Sequence, residues 1–355
     1  MSLESNPLVS IIINNYNYDR FVSAAIDSAL NQTYPHVEII VVDDGSTDNS
    51  RNIIADYGNR IVSVLKSNSG QASSYNEGFK ASQGEIICLL DSDDIFHQEK
   101  VEKIVNLFRA NNLLDLPIVF FNSFEAIDEQ GLVSHNVTPR SVYPDWSALA
   151  KIRGDRYTGG DRYFFNGELN RVCTPDLMYE FASKYRHIPY IGMPGSNMSL
   201  SRNLACQIFP LPVTSFKTCA DSLLGRAASL LGYVYSTNLT LNQYRIHGSN
   251  AWFSQEATRE FEESTLIMPD EYLNSKLTAI GKKPVFSFLE SMGASGFYRH
   301  WLGYNSADRL ITLAFKTIEY RLDAETCVFF ISTLAKGIYY KLKLLWMDTN
   351  REVRP

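Results

Sequence analysis

Four apolar runs of strand length, each followed by a stretch with helical spacing, constrain this chain more than any other feature. "LVSIIIN" at residues 8–14 is apolar almost without a break, as expected of a strand covered on both faces. Val22, Ala25, Ile26, Ala29 and Leu30 then recur at helical intervals, and Asp19 is placed to cap that helix. Residues 37–42 form the second apolar run; a helix carrying Ile53, Ile54 and Tyr57 follows, with Ser46 or Thr47 as its expected cap. A third strand over 61–65, a weaker helix over 70–81 and a fourth strand over 85–90 continue the alternation. Val101, Ile104, Val105 and Phe108 mark a fourth helix. Repeated βα units of this length predict a parallel sheet with helices on both faces.

Beyond residue 110 the pattern loosens. Strands are expected in "PIVFFNS" and "YVYSTNLTLNQYRI". The polar, aromatic stretch "KIRGDRYTGGDRYFFNGE" between them suits a loop surface that handles a polar ligand. From about residue 255 the chain reads helical, beginning with the acidic "EATREFEEST". The 355 residues suffice for a large core, and a net charge of −6 without any basic block argues against a nucleic-acid partner. Five scattered cysteines without a CxxC pair predict reduced thiols and a cytoplasmic protein. "MSLESNPLVS" does not read as a signal peptide, and no stretch reaches the roughly 18 apolar residues needed to cross a bilayer.

Polar clusters follow three of the predicted strands. They are "NNYNY" at 14–18, "DDGSTD" at 43–48 and "DSDD" at 91–94. Ligands of open parallel sheets bind at the carboxyl ends of strands, so these distant clusters are expected to face one crevice. Neither a GxxxxGK[ST] loop nor a GxGxxG turn is present to grip phosphate. A diphosphate would meet an acidic crevice there, which requires a divalent cation between the carboxylates and the phosphates. Oxygen ligation of this kind suits Mg²⁺ or Mn²⁺. An EF-hand does not fit, because Phe96 stands where the sixth loop position needs glycine. Taken singly, "DSDD" also reads as a solvated loop with a helix cap, and "DDGSTD" as a turn with an N-cap.

"VSIIINNYNYDRFVSAAIDSALNQTYPHVEIIVVDDGSTDNS" and "NSGQASSYNEGFKASQGEIICLLDSDD" together resemble the family 2 glycosyltransferases, the second block ending in that family's metal-binding DXD motif. The resemblance is strong over residues 8–110 and weaker to about 250. It implies an α/β GT-A fold, a Rossmann-like, mostly parallel sheet flanked by helices, with a helical C-terminal extension. Residues 1–115 would be the nucleotide-sugar-binding half, 116–252 the acceptor-binding half and 253–355 a helical region. Asn14 and Tyr16 would line the base pocket, Asp44 would accept a hydrogen bond from the base, and Asp43 would support that turn. Gln71 and Asn76 would face the donor, Asp91 would lie near the ribose and the metal, and Ser92 would join the nucleotide site. Asp93 would ligate Mn²⁺ or Mg²⁺, with Asp94 turned away to cap the next helix. Many members carry Arg where Tyr75 stands here, which would leave the phosphate contact to Lys66 or Arg245.

"CADSLLGRAASLLG" resembles the family's ED-x-x-L-x-x-R pattern, with Ala220 replacing the glutamate and Arg226 in the helix. It implies Asp221 as the base that deprotonates the acceptor, in a single displacement with inversion. A plain helix N-cap is the other reading of Asp221. "QYRIHGSN" would offer His247 as a further metal ligand or diphosphate contact, against a structural role at a strand end. "GMPGSNMSLSR" would place Gly195, Ser196 and Asn197 beside the donor sugar and acceptor. The QxxRW motif of processive members is absent, so one sugar per encounter is expected. The implied partners are a nucleotide-sugar donor, UDP-linked by family frequency, and a glycan or lipid-linked acceptor. "AKGIYYKLKLLWMDTN" reads first as a core or homodimer helix, and second as a peripheral contact with the inner face of a membrane. A nucleotidyltransferase would need a basic, glycine-rich loop after the first strand, which "NNYNYDR" is not. A non-catalytic binding module would not need both Asp93 and Asp221.

Overall fold

The computed structural model describes residues 6–134, 169–185, 188, 194–213, 220–248, 250 and 268–286, with single residues and runs of two or three between 315 and 342. The loop over 151–168 and the acidic stretch over 256–265, both singled out above, lie outside the described residues. Two compact units emerge, one of Met1–Lys184 with Ile188–Pro284, the other of Tyr185–His187 with Val285–Pro355.

The first unit is built on a nine-stranded sheet. Its first part runs β1 (Val9–Asn15), α1 (Val22–Leu30), β2 (Val37–Asp43), α2 (Ser50–Asp56), β3 (Val62–Leu65), α3 (Gln71–Ala81) and β4 (Ile86–Asp91). A two-residue β5 (Ile95–Phe96), α4 (Lys100–Ala110) and the long β6 (Ile118–Ile127) follow. After β7 (Asn170–Cys173) and α5 (Pro175–Tyr185) come β8 (Met198–Ser201), α6 (Arg202–Ile208), α7 (Ala220–Leu231), β9 (Tyr233–Arg245) and α8 (Met268–Ala279).

The strands lie in the order β3-β2-β1-β4-β8-β6-β9-β5, with β7 paired to β9. β1 is parallel to both β2 and β4, and β2 to β3, as the βα repeats require. β8 then inserts antiparallel between β4 and β6, while β6 and β9 run parallel. The sheet is therefore mixed, mostly parallel and flanked by helices. β8 carries no apolar run that would announce it, because its sequence is "MSLS". Its serines are buried and bonded instead, Ser199 to the Cys88 thiol and Ser201 to the Leu116 carbonyl.

Ile11, Ile13, Val41, Cys88 and Leu90 face one side of the sheet and pack with Val22, Ile26, Ile104 and Phe108 from α1 and α4. Each such side chain, fully buried, contributes about 1.5–3 kcal/mol. The helix starts differ from expectation. α1 begins after Phe21 without a side-chain cap, and α2 begins only at Ser50. Asp19, Ser46 and Thr47 instead tie the loops after β1 and β2 together. The Asp19 carboxylate accepts from the Asn49 N–H, the Asn17 N–H donates to Ser46, and the Thr47 N–H donates to the Asn17 side chain. Asn17 adopts a left-handed conformation (φ 58°), which asparagine tolerates better than most side chains.

In the second unit, every described residue from Cys327 to Leu342 is helical. Among the described residues, no helix is long and apolar enough to cross a membrane.

Candidate active site

Register alone brings the three polar clusters to one edge. At the end of β1, Asn14 pairs with Asp91 of β4 on one side, and Asn15 pairs with Asp43 of β2 on the other. The parallel sheet thus converts a sequence separation of dozens of residues into neighbouring strand ends.

The β2 turn is rigid. Asp43 accepts from the Asn15 amide at 3.0 Å, the Ser46 N–H at 3.0 Å and Arg51 Nε at 2.7 Å. Burial alone would raise its pKa, but bonds from Ser46, Arg51 and Asn15 outweigh that and hold it below the usual carboxylate range. Asp44 is clasped by an ion pair with Lys66 and by the N–H groups of Ser69 (2.9 Å) and Gly70 (2.7 Å). Gly45 between these residues and Ser46 has φ +80°, and a Cβ there would lie 2.5 Å from the Asn68 nitrogen. Only glycine fits that turn. Tyr16 projects outward, 45% exposed. Asn14 bonds to the Asp91 carboxylate, and its own side-chain oxygen is buried without a partner.

The three aspartates after β4 are not equivalent. Asp94 is buried, accepting from Ser196 Oγ at 2.6 Å and from the Arg245 N–H at 2.9 Å. It turns away as expected but caps no helix, for α4 starts at Lys100 after an N-cap residue, Glu99, that makes no side-chain cap bond. Asp94 instead ties the "DSDD" turn to the end of β9. Ser92 is buried beside it. Asp93 keeps its carboxylate partly open (13% exposed), with His247 Nε2 3.1 Å from Oδ2 and the Asn250 amide at 3.4 Å. Tyr18 and Phe21 pack on the His247 ring, centroids 5.5 and 4.9 Å away.

The two cations expected to meet phosphate are committed elsewhere. Lys66 is held by Asp44 and the Ser67 carbonyl. Arg245 donates to the backbone carbonyls of Asp93, Asp128 and Glu129, with its guanidinium over the Phe21 ring. Each is a brace of the crevice rather than a cation facing it.

Asp221, half-buried at the start of α7, completes the cluster. It accepts from the Ser222 N–H at 2.9 Å and from the Gly195 N–H. Gly195 belongs to a 3-10 turn, Gly195–Asn197, that precedes β8. A Cβ on Gly195 would sit 2.8 Å from the Tyr75 hydroxyl, 3.2 Å from Asp91 Oδ2 and 3.5 Å from the Asp221 Cβ. These four residues therefore share one small space. Ser196 locks the turn, accepting from the Asp91 N–H at 3.0 Å while donating to Asp94, and its carbonyl accepts from buried Lys100. Asn197 is buried next in line. Gln71 joins α3 to α7, its oxygen accepting from the Ala220 N–H at 2.8 Å and its nitrogen 3.3 Å from the Tyr75 hydroxyl. Asn76 is not brought to the cluster. Both ends of its amide bond the Leu211 backbone, at 2.7 and 2.8 Å, where it fastens α3 to the loop after α6.

The electrostatics are those of crowded carboxylates. Lost hydration, then the charges of Asp93 and Asp221, push Asp91 up to about 8. Lost hydration raises Asp221 as well, against the bonds from Ser222 and Gly195 that favour its charged form. Tyr18 and Tyr244, both half-buried, are raised first by burial and then by the charges of aspartates that include Asp91, Asp93 and Asp94. Burial pushes Lys100 down to about 7, against the pull of Cys88 and Asp94. Tyr18, Tyr244, Asn250 and Lys100 escape sequence reasoning. All four stand inside or beside quoted motifs, but no spacing rule marks them.

A divalent cation fits this chemistry. Asp91, Asp93 and Asp221 repel one another, and the nearby lysines and arginine are occupied. Among the described residues, no group of three or more Asp, Glu, His or Cys is placed to hold a metal ion by itself. Asp93 and His247 would supply an oxygen and a nitrogen donor to an ion that completes its shell with water and substrate phosphates.

Residues 10–168 match the sequence model of "Glycosyl transferase family 2". Those residues carry a family 2 glycosyltransferase domain. An uncharacterized glycosyltransferase of Nostoc sp. is 28% identical over 283 residues, 77% of this chain and 76% of that protein. The Escherichia coli enzyme WfgD, a UDP-Glc:alpha-D-GlcNAc-diphosphoundecaprenol beta-1,3-glucosyltransferase, is 33% identical over 137 residues, and the match spans about half of it (53%). The crystal structure of S. aureus TarS 1-349 in complex with UDP-GlcNAc superposes with a TM-score of 0.51 at 15% identity, covering 94% of this chain and 81% of that one. The fold is thus GT-A-like.

Proposed function

We propose that this glycosyltransferase moves one sugar from a UDP-sugar to a hydroxyl of a glycan or lipid-linked acceptor, with metal dependence and with inversion at the anomeric carbon. The observation that carries the reading is the placement of Asp221. Its carboxylate is held by the Gly195 N–H, next to Asp91 and the "DSDD" turn, where lost hydration raises its affinity for a proton. A base of raised pKa, within reach of solvent and braced by backbone, is what abstraction of a hydroxyl proton needs.

In this reading the acceptor hydroxyl donates to Asp221, which takes its proton as the oxygen attacks the anomeric carbon. The bond from that carbon to the diphosphate oxygen breaks on the opposite face, and the nucleoside diphosphate leaves. Asn14, Tyr16, Asp43 and Asp44 form the base end of the donor site, with Asp44 oriented by Ser69 and Gly70. Asp91 and Ser92 adjoin the ribose, Gln71 lies near the donor, and Gly195, Ser196 and Asn197 border the sugar. Asp93 and His247 would hold Mn²⁺ or Mg²⁺, whose charge would stabilise the departing diphosphate. Residues 1–115 then serve the donor and 116–252 the acceptor.

The name of WfgD contains a UDP-sugar and a lipid diphosphate acceptor, and the TarS structure is a complex with UDP-GlcNAc, which supports the donor and acceptor classes. Scattered cysteines fit a reducing cytoplasmic location. The test is nucleoside diphosphate release from a panel of nucleotide sugars with and without Mn²⁺. Release is expected from a UDP-sugar, stimulated by Mn²⁺ and lost in Asp93→Ala. Full metal-stimulated release in that variant would overturn the metal assignment. A preference for a non-UDP donor would overturn the donor class.

A further inference from the structure

The C-terminal segment carries an apolar stripe that faces outward. Val328, Ile331, Ala335, Ile338 and Leu342 are all exposed and helical, Val328 at 69% and Ile331 at 64%. Their spacing alternates steps of three and four, so they share one face of a helix. Tyr339, 61% exposed, extends that face, whereas Gly337, outside the stripe, is buried. A helix with its apolar side turned to the core would show the reverse. The stripe therefore argues against the core reading that the sequence first favours.

Charge selects the occupant. Between Cys327 and Trp346 the sequence holds three lysines (Lys336, Lys341, Lys343) and no acidic side chain, in a chain whose net charge is −6. Lys341 is itself exposed. Two copies meeting through this segment would bring like charges together, whereas an anionic lipid surface would attract them. Apolar side chains with lysines and an aromatic ring are the composition of a helix that lies in a membrane interface.

We infer that the segment around residues 327–346 docks the protein on an anionic lipid surface, lying in the headgroup region rather than crossing it. The inference does not depend on the sugar-transfer reading, and its test uses no substrate. Flotation of the full chain with vesicles of phosphatidylglycerol and phosphatidylcholine is compared with phosphatidylcholine alone. The wild type is expected to float with the anionic vesicles, at least roughly tenfold more than with the neutral ones, and to be released by high salt. Ile331→Glu with Ile338→Glu is expected to reduce that binding by roughly tenfold or more at an unchanged melting temperature. A triple Lys336→Glu, Lys341→Glu, Lys343→Glu variant, which spares the stripe, serves if the first does not fold, and is expected to lose the anionic preference. Equal flotation of wild type and either folded variant would overturn the inference. So would a wild type that stays unbound at every composition, or a wild-type dimer, unbound by lipid, that becomes monomeric in Ile331→Glu with Ile338→Glu.

Discussion

Gly195 is small because three side chains converge where its Cβ would be. The Tyr75 hydroxyl at 2.8 Å and Asp91 Oδ2 at 3.2 Å leave no room, and Asp221 closes the third side. Gly195→Ala is therefore expected to cost about 1–3 kcal/mol of stability by overpacking and to lower turnover more than its melting temperature suggests, because the turn that orients Asp221 must shift. Thermal melting alongside kcat checks both. Asp221 carries a pH signature of its own. Its folded-state pKa is raised, so the folded chain holds the proton where the unfolded chain releases it, and stability falls as pH rises past the unfolded value of about 3.9. Asp221→Asn is expected to melt above wild type at pH 7 without metal, and alike at pH values below the unfolded one. Asp93, Asp221 and His247 were legible as motif positions. The partners of Asp94 were not, since Ser196 and Arg245 lie 102 and 151 residues away in sequence. A motif names the carboxylate but not the strand end that will bind it.

The strands that carry the three polar clusters were readable because burial on both faces demands unbroken apolar runs, and β1, β2 and β4 supply them. β8 was unreadable because its buried serines find hydrogen bonds within the fold, so polarity misled. Expected helix caps went astray for a related reason. Asp19, Ser46, Thr47 and Asp94 have stronger claims on them from neighbouring loops than from a helix start. The α3 helix depends on one such side-chain link. Asn76 donates to and accepts from the Leu211 backbone, so Asn76→Ala leaves both groups of Leu211 without these bonds. A loss of about 1–3 kcal/mol in urea unfolding is expected. Tyr75 and Gln71, on the same helix, stand beside the acid cluster. Loosening α3 should therefore reach the site as well as the fold.

At the scale of the molecule, the mixed sheet gathers carboxylates faster than it gathers cations. Asp91, pushed up to about 8 chiefly by lost hydration and then by Asp93 and Asp221, makes the metal-free protein lose stability as pH rises from the unfolded carboxylate value towards 8. Mn²⁺ should offset that loss, so the rise in melting temperature on adding it is expected to be larger at pH 8 than at pH 5, and absent in Asp93→Ala. The edge that gathers the polar clusters could be read from strand order and motif. The bracing of Arg245 and Lys66 could not, because sequence shows a cation's presence but not its partners. The central claim is that Asp221 takes the acceptor's proton at this edge. Its most direct measurement is the single-turnover rate of Asp221→Asn with a UDP-sugar and acceptor that wild type uses, alongside the donor's dissociation constant. A rate lower by roughly 10²–10⁴, with donor affinity retained, is expected if Asp221 is the base. A variant that turns over at the wild-type rate would contradict that role.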